Sequence, residues 1–106
     1  MVGPAPRWTI ALPRNLLNIY SNDIQHRVPI RTKEGLDTRV QAADQGLSQL
    51  LRSKPNITYV SALSQFCDDS GCLTRVNDMP GGMTTWDYGH LTTAGAEYLA
   101  HKLPIN

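Results

Sequence analysis

The chain has 106 residues, a hydrophobic content of 41% and a formal net charge of +1, a composition that fits one globular domain at most. Its Lys and Arg residues are dispersed, which argues against nucleic-acid binding because phosphate neutralisation requires several neighbouring cations. No run of about 18 apolar residues occurs. The first residues lack the basic and apolar regions of a signal peptide. The sequence therefore predicts neither a transmembrane segment nor a signal peptide within this chain.

The N-terminal part is predicted to contain a strand end, a helix and a loop. The segment 1–5 is short and apolar and is followed by a proline. This pattern indicates the tail of a buried strand that runs into a loop. Pro13 suits the first turn of a helix. The apolar face of that helix would consist of Leu16, Leu17 and Tyr20. The polar stretch 21–35 has no hydrophobic period and predicts a surface loop.

The middle of the chain has the clearest helical period. Apolar residues recur at spacings of three and four from Gly35 to Ser53, so a helix over this range would place them on one stripe. They are Leu36, Val40, Ala43, Leu47, Leu50 and Leu51. Pro55 ends this helix, and the β-branched and aromatic residues from Ile57 to Val60 predict a strand.

The last part is predicted to hold a helical turn from Leu63 to Phe66, an irregular stretch from Thr74 to Thr85 and a terminal helix with Thr92 as its N-cap. The apolar residues of that helix are Ala96, Leu99, Ala100 and Leu103. Strand, helix, strand and helix in this order predict an α/β fold with a short parallel sheet flanked by helices. Two strands are too few for a doubly wound sheet, so residues 1–106 are expected to be a single domain fragment.

Two cysteines, Cys67 and Cys72, are separated by four residues that can turn back and bring the sulfurs together. In an oxidising compartment this spacing predicts a disulfide, whereas two free thiols are expected in a reducing one. A metal site is the third alternative, and it lacks further ligands next to the two cysteines.

The most informative stretch runs from Trp86 to Ala96 and places a carboxylate, Asp87, three residues before a histidine, His90. At the start of a capped helix, this spacing lets Asp87 bond one imidazole nitrogen and leaves the other as a general base for a hydroxyl nucleophile. Asp-x-x-His alone is a common chance pattern, and a surface Asp/His pair is the simpler interpretation of the bare spacing. Trp86 could line an acyl pocket, but packing in the core is predicted for it.

The extended string is more specific than the spacing. Asp87-Tyr88-Gly89-His90-Leu91-Thr92, followed by Ala94-Gly95-Ala96, resembles the last motif block of the SGNH (GDSL-like) hydrolase family. Residues 2–8 look like the late strand of that family, which ends in a Gly-x-x-Pro turn. The stretch 67–76 is similar to the segment before the catalytic block in SGNH domains of bacterial cell-surface polysaccharide O-acyltransferases.

This resemblance implies the C-terminal half of a flavodoxin-like, three-layer SGNH domain, in which Asp87 and His90 belong to a Ser-His-Asp triad. It implies an esterase or O-acetyltransferase reaction, acyl transfer to water or to a sugar hydroxyl through an acyl-serine, with no metal or organic cofactor. The nucleophilic Ser and the oxyanion-hole Gly and Asn are expected on the upstream half of the domain, because no Gly-Asp-Ser or Gly-x-Asn-Asp string occurs here. The chain alone is therefore expected to be inactive.

The implied partners are that upstream half, a membrane acyltransferase domain, and an acylated glycan or small ester as substrate. The implied location is the periplasmic or cell-envelope side of the membrane. The alternative from another class is a non-catalytic binding or assembly module that forms a homo-oligomer through an open sheet edge. A Gly-Asp-Ser block in upstream sequence would decide for the enzyme, and its absence for the module.

Overall fold

The computed structural model describes residues 1–103, and this part contains four helices and a small three-stranded sheet. The helices are α1 (Leu12–Asn22), α2 (Arg39–Arg52), α3 (Ala62–Phe66) and α4 (Thr93–Lys102). The strands are β1 (Arg31–Thr32), β2 (Cys67–Asp68) and β3 (Gly71–Leu73). The mixture confirms the predicted α/β class. Among the described residues, no helix is both long and apolar enough to cross a membrane.

The sheet has the order β1-β3-β2, and both pairings are antiparallel. Only residues 69–70 separate β2 from β3, so the two strands form a hairpin and are antiparallel by construction. Gly71 begins β3 with a φ of 121°, and a Cβ atom there would lie 2.3 Å from the carbonyl carbon of Thr32. Glycine is therefore required at this position, because β1 approaches its backbone too closely for a side chain.

The parallel sheet predicted from the sequence is reduced to one parallel bridge, between Val2 and Val60. Gly3 N donates to Val60 O, and Val60 N donates to Met1 O, each at 2.8 Å. Residues 57–59, predicted as strand, carry no strand assignment. The prediction missed the antiparallel sheet because its hairpin is built around the two cysteines, where the sequence indicates only a turn that brings the sulfurs together.

The hydrophobic core is built from α1, the segment before it and the hairpin. Its buried cluster consists of Trp8, Leu12, Leu16 and Cys72. The predicted apolar face of α1 is correct for Leu16, but Leu17 is 61% exposed and Tyr20 is 42% exposed. A polar residue, Asn15, is buried instead, because its side-chain amide donates to Glu34 O at 2.8 Å. The inner face of α1 is therefore rotated away from the predicted one.

The second helix begins at Arg39, four residues later than predicted. The residues before it are held by the N-terminal segment. Leu36 forms an antiparallel bridge with Trp8, and Asp37 N donates to Arg7 O at 2.8 Å. The Asp37 carboxylate also accepts a hydrogen bond from Arg39 N at 3.0 Å. Val40 is the buried residue of α2, and much of the predicted stripe is partly or fully exposed.

Two further helices are confirmed near their predicted bounds. Helix α3 follows Ser61, whose hydroxyl accepts a backbone hydrogen bond from the first turn at 3.0 Å. Helix α4 follows Thr92, whose hydroxyl accepts a hydrogen bond from Gly95 N at 3.0 Å, so the predicted N-cap is correct. The rings of Phe66 and Tyr98 lie 5.2 Å apart and link the two helices.

Candidate active site

The Asp-x-x-His motif lies in a loop that its own backbone closes. Thr85 and Leu91 form an antiparallel bridge, so residues 86–90 make a compact turn between this bridge and the start of α4. A short loop of this kind has few conformations available, and its side chains are therefore held in defined positions.

The N-terminal segment supports the loop from one side. Trp8 N donates to Tyr88 O at 2.7 Å, and Leu12 N donates to Asp87 O at 3.0 Å. Leu12 is the first residue of α1, and the N–H groups in the first turn of a helix have no partner within the helix. The bond to Asp87 O therefore satisfies one of these N–H groups. Because Trp8 and Leu12 are buried core residues, the loop backbone is tied directly to the core.

The end of β3 supports the loop from another side. Thr84 N donates to Thr74 O at 3.0 Å, and Thr92 N donates to Thr84 O at 2.9 Å. The start of α4 packs closely against this connection, since a Cβ atom at Gly95 would lie 2.7 Å from Thr84 O. The residues on both sides of the motif are thus fixed to the sheet.

The carboxylate and the imidazole are hydrogen-bonded to each other. Asp87 Oδ2 lies 2.6 Å from His90 Nδ1. The other carboxylate oxygen, Oδ1, accepts hydrogen bonds from Gly89 N at 2.9 Å and from His90 N at 2.8 Å. One oxygen is therefore used by the loop backbone, and the second is directed at the histidine ring.

These contacts keep Asp87 ionised. The backbone N–H of Gly89 is the largest cause that holds the pKa of the Asp87 carboxyl far below its ordinary value, followed by the His90 ring and the His90 N–H. An ionised carboxylate can only accept a hydrogen bond, so the contact with Asp87 places a proton on His90 Nδ1. In the neutral imidazole this leaves the lone pair on Nε2, which is the arrangement a general base needs.

The ring itself is open to solvent. The His90 side chain is 93% exposed and the Asp87 side chain 44% exposed. Within residues 1–103, Nε2 makes no hydrogen bond. The pair can therefore accept a proton from a group that approaches from outside the described part of the chain.

None of the serines of the described chain hydrogen-bonds to His90. Ser21 donates to a carbonyl one helical turn earlier, as expected for a helix-surface serine. Ser61 caps α3 and donates to Asp44 Oδ2 at 2.7 Å. Each therefore has a local structural role.

The two cysteines lie away from this pair. Cys67 and Cys72 face each other across β2 and β3 and are joined by a disulfide. Arg31 braces the same hairpin, since its guanidinium donates to Phe66 O at 2.8 Å and lies 3.3 Å from the Asp68 carboxylate. Across residues 1–103, no group of three or more His, Cys, Asp or Glu side chains is arranged to hold a metal ion.

Sequence reasoning missed one residue of the site and misplaced another. The hydroxyl of Thr85, which is 2% exposed, lies within hydrogen-bond distance of both Asp87 and His90. The sequence signal for this contact is a hydroxyl residue, Thr85, two positions before Asp87. Trp86 was predicted to pack in the core, but it is 54% exposed, because it lies in the turn that projects beyond the bridge.

A sizeable cavity lies away from this site. It has a volume of about 560 Å³ and lies between the end of α1 and β1, where Ile19, Asp23, Arg27 and Thr32 are among its lining residues. The Asp–His pair is not part of its lining, and the high exposure of the His90 ring places the pair on an open surface.

Comparison with known proteins gives two matches. Residues 1–104 match the family model described as "SGNH domain (fused to AT3 domains)". The solved periplasmic domain of a lipopolysaccharide acetyltransferase from Salmonella ser. Paratyphi A has a similar structure, with a TM-score of 0.85 and 35% sequence identity. The match covers 95% of this chain and 38% of the solved one. No curated protein sequence matches the chain with significance.

The family match spans almost the whole chain, and the solved domain shares its fold over nearly the same range. The chain spans little more than a third of the length of that solved chain. Fold, motif block and family model agree, and the chain belongs to the family of SGNH domains that are fused to AT3 domains.

Proposed function

We propose that this chain supplies the Asp–His pair of an SGNH-type polysaccharide O-acetyltransferase. The observation that carries the proposal is the 2.6 Å contact between Asp87 Oδ2 and His90 Nδ1 beside a solvent-exposed ring. His90 Nε2 takes the proton of a serine hydroxyl, and Asp87 orients the ring and stabilises the imidazolium that forms.

The reaction then proceeds in two acyl transfers. The serine oxygen attacks the acyl carbonyl of the donor, and the tetrahedral intermediate collapses as His90 returns the proton to the leaving oxygen. In the second step, His90 removes a proton from a sugar hydroxyl or from water, whose oxygen attacks the acyl-serine. The bond to the serine oxygen then breaks as His90 returns the proton to that oxygen. Acceptance by a sugar hydroxyl gives an O-acetylated glycan, and acceptance by water gives esterase activity.

The serine and the oxyanion-hole donors are assigned to the part of an SGNH domain that lies outside this chain. Two observations support this assignment: the chain matches 38% of the solved domain, and none of the described serines bonds to His90. Because acyl transfer needs both the nucleophile and the oxyanion hole, the 106-residue chain alone is expected to show no serine-esterase activity.

The proposed setting is the periplasmic side of the membrane, with an AT3 domain as the fused partner. The family description supports the partner, and the solved neighbour is a periplasmic domain. The disulfide between Cys67 and Cys72 agrees with an oxidising compartment.

A second candidate is a binding or assembly module. It is favoured by the exposed apolar residues beside the parallel bridge, since Met1 is 60%, Val2 43% and Ile57 43% exposed. A strand edge of this kind can pair with a second copy of the chain. Light scattering of the 106-residue chain over a range of concentrations distinguishes a monomer from such an assembly.

The enzyme proposal is tested in a protein that joins this chain to the rest of an SGNH domain and to its AT3 domain. The His90→Ala variant is expected to lower O-acetyl transfer by at least ~10³-fold, because the general base is lost. His101→Ala is the matched control: His101 is exposed in the last turn of α4 and lies outside the pair, so its loss should leave transfer unchanged. Full activity in the His90→Ala variant would refute the proposal.

A further inference from the structure

The Thr85 side chain occupies the centre of the motif loop. Its Oγ1 lies 2.6 Å from His90 O and 2.9 Å from Asp87 Oδ1. It also accepts a hydrogen bond from Asp87 N at 3.2 Å. One hydroxyl thus contacts both residues of the pair, and it does so from the side opposite to solvent, since Thr85 is 2% exposed.

The chemistry of a hydroxyl explains how these contacts work together. Thr85 has one hydroxyl hydrogen and two lone pairs, so it donates to one acceptor at a time while it accepts from Asp87 N. The shortest contact is with the carbonyl of His90. The hydroxyl therefore joins the start of the loop to its end and closes the turn from inside.

This closure determines which carboxylate oxygen faces the ring. Asp87 Oδ1 is held inside the loop by Gly89 N and His90 N, and it shares the single Thr85 hydroxyl hydrogen with His90 O. Oδ2 is then left for His90 Nδ1. Thr85 itself cannot shift easily, because it is buried and its backbone pairs with Leu91.

We propose that Thr85 is a positioning residue of the Asp–His pair, whose hydroxyl holds the Asp87 carboxylate and the His90 backbone so that Oδ2 meets Nδ1. The statement that Thr85 affects catalysis rests on the proposed function. The effect of the Thr85 hydroxyl on the Asp87–His90 contact can be measured without an activity assay.

The first experiment measures the carboxyl of Asp87 in the 106-residue chain by ¹³C NMR titration. Thr85→Val removes the hydroxyl at nearly constant volume and should move the pKa of Asp87 upward, toward its ordinary value of 3.8. Thr85→Ser keeps the hydroxyl and should titrate like the unmodified chain. Thr74→Val removes another buried hydroxyl, one that bonds Pro29 O at 2.7 Å, and should leave the Asp87 titration unchanged.

The outcomes separate positioning from simple packing. A folded Thr85→Val chain with an unchanged Asp87 titration overturns the inference, as does an equal upward shift in Thr74→Val. If the valine variant does not fold, the serine variant decides: an Asp87 pKa that rises although the hydroxyl is kept contradicts the role assigned to that hydroxyl, and an unchanged one supports it.

The second experiment measures O-acetyl transfer in the longer protein. Thr85→Val should lower kcat on the order of 10²-fold with little change in KM, because misplacement of a catalytic group affects the chemical step. Thr85→Ser should restore most of the activity. The two proposals fail differently: activity retained by His90→Ala refutes the function, whereas an unchanged Asp87 titration in Thr85→Val refutes only the role of Thr85.

Discussion

The chain contains the Asp-x-x-His spacing twice, and only one copy forms a carboxylate–imidazole pair. In the first copy, Asp23-Ile24-Gln25-His26, the ring nitrogen Nδ1 of His26 lies 3.0 Å from Tyr20 O instead of bonding to the carboxylate. Asp23 Oδ2 accepts a hydrogen bond from Arg27 N at 2.8 Å. In the second copy, Asp87 Oδ2 meets His90 Nδ1 at 2.6 Å.

The two copies differ in their position relative to a helix. Asp23 follows the last turn of α1, and its carboxylate accepts a hydrogen bond from the backbone of Arg27, beyond the end of the helix. Asp87 precedes α4, and its carboxylate binds the N–H groups of Gly89 and His90 within a closed turn. The spacing permits the pair, whereas the surrounding backbone determines whether it forms.

The largest expected difference between the copies is in activity. In the longer protein, Asp87→Asn should lower O-acetyl transfer on the order of 10³ to 10⁴-fold, because an amide no longer fixes the productive imidazole tautomer. Asp23→Asn makes the same change in the other copy and should leave transfer close to that of the unmodified protein. Equal losses in a transfer assay would show that the two copies do not differ in the way the geometry indicates.

A smaller effect, on the stability of the fold, is expected from removal of the disulfide, which lies outside both copies of the spacing. Replacing Cys67 and Cys72 by Ser should lower the free energy of unfolding by about 2 kcal/mol, the chain-entropy value for so short a loop. The Asp87 carboxyl should keep its low pKa, because its own loop contacts do not involve the hairpin. Chemical denaturation and NMR titration check the two parts separately, and a changed Asp87 titration would contradict the second.

The smallest expected effect is on the pH dependence of stability. The pKa values of both carboxyls are lowered by backbone N–H groups, Asp87 much more strongly than Asp23. A lowered folded-state pKa contributes stability above the ordinary carboxyl pKa of 3.8, and the contribution is lost as the pH falls through the folded-state value.

The difference in unfolding free energy between the unmodified chain and Asp87→Asn should therefore shrink as the pH falls below about 4. The corresponding difference for Asp23→Asn should be smaller throughout. Denaturant unfolding from pH 6 to the lowest pH at which the chain stays folded measures both. A larger pH dependence for Asp23→Asn would contradict the comparison.

Local chemistry in the sequence predicted the helices well. The proline at the start of α1, the Thr92 N-cap and the helical turn before Cys67 are all present. These features depend on neighbouring residues, and such signals can be recognised in a single chain. The motif block also indicated the family, which the family model confirms.

Long-range contacts were harder to predict. The start of α2 depends on the bridge between Leu36 and Trp8, and the exposure of Leu17 depends on which face of α1 meets the core. The role of Thr85 depends on the bridge between Thr85 and Leu91 that closes the loop, and the Asp-x-x-His spacing does not predict this bridge. In each case the deciding partner is distant in sequence or belongs to a turn whose geometry a hydrophobic pattern does not encode.

The Asp87–His90 pair is tested most directly by the position of the proton on the two histidine rings of the 106-residue chain, measured by ¹⁵N NMR at a pH where the imidazoles are neutral. We expect His90 to carry its proton on Nδ1 and to lose this preference in Asp87→Asn, since the carboxylate selects the tautomer. In Asp23→Asn the tautomer of His26 should not change, because Asp23 does not contact that ring. A His90 ring protonated mainly on Nε2 in the unmodified chain would show that Asp87 does not orient it for general-base catalysis.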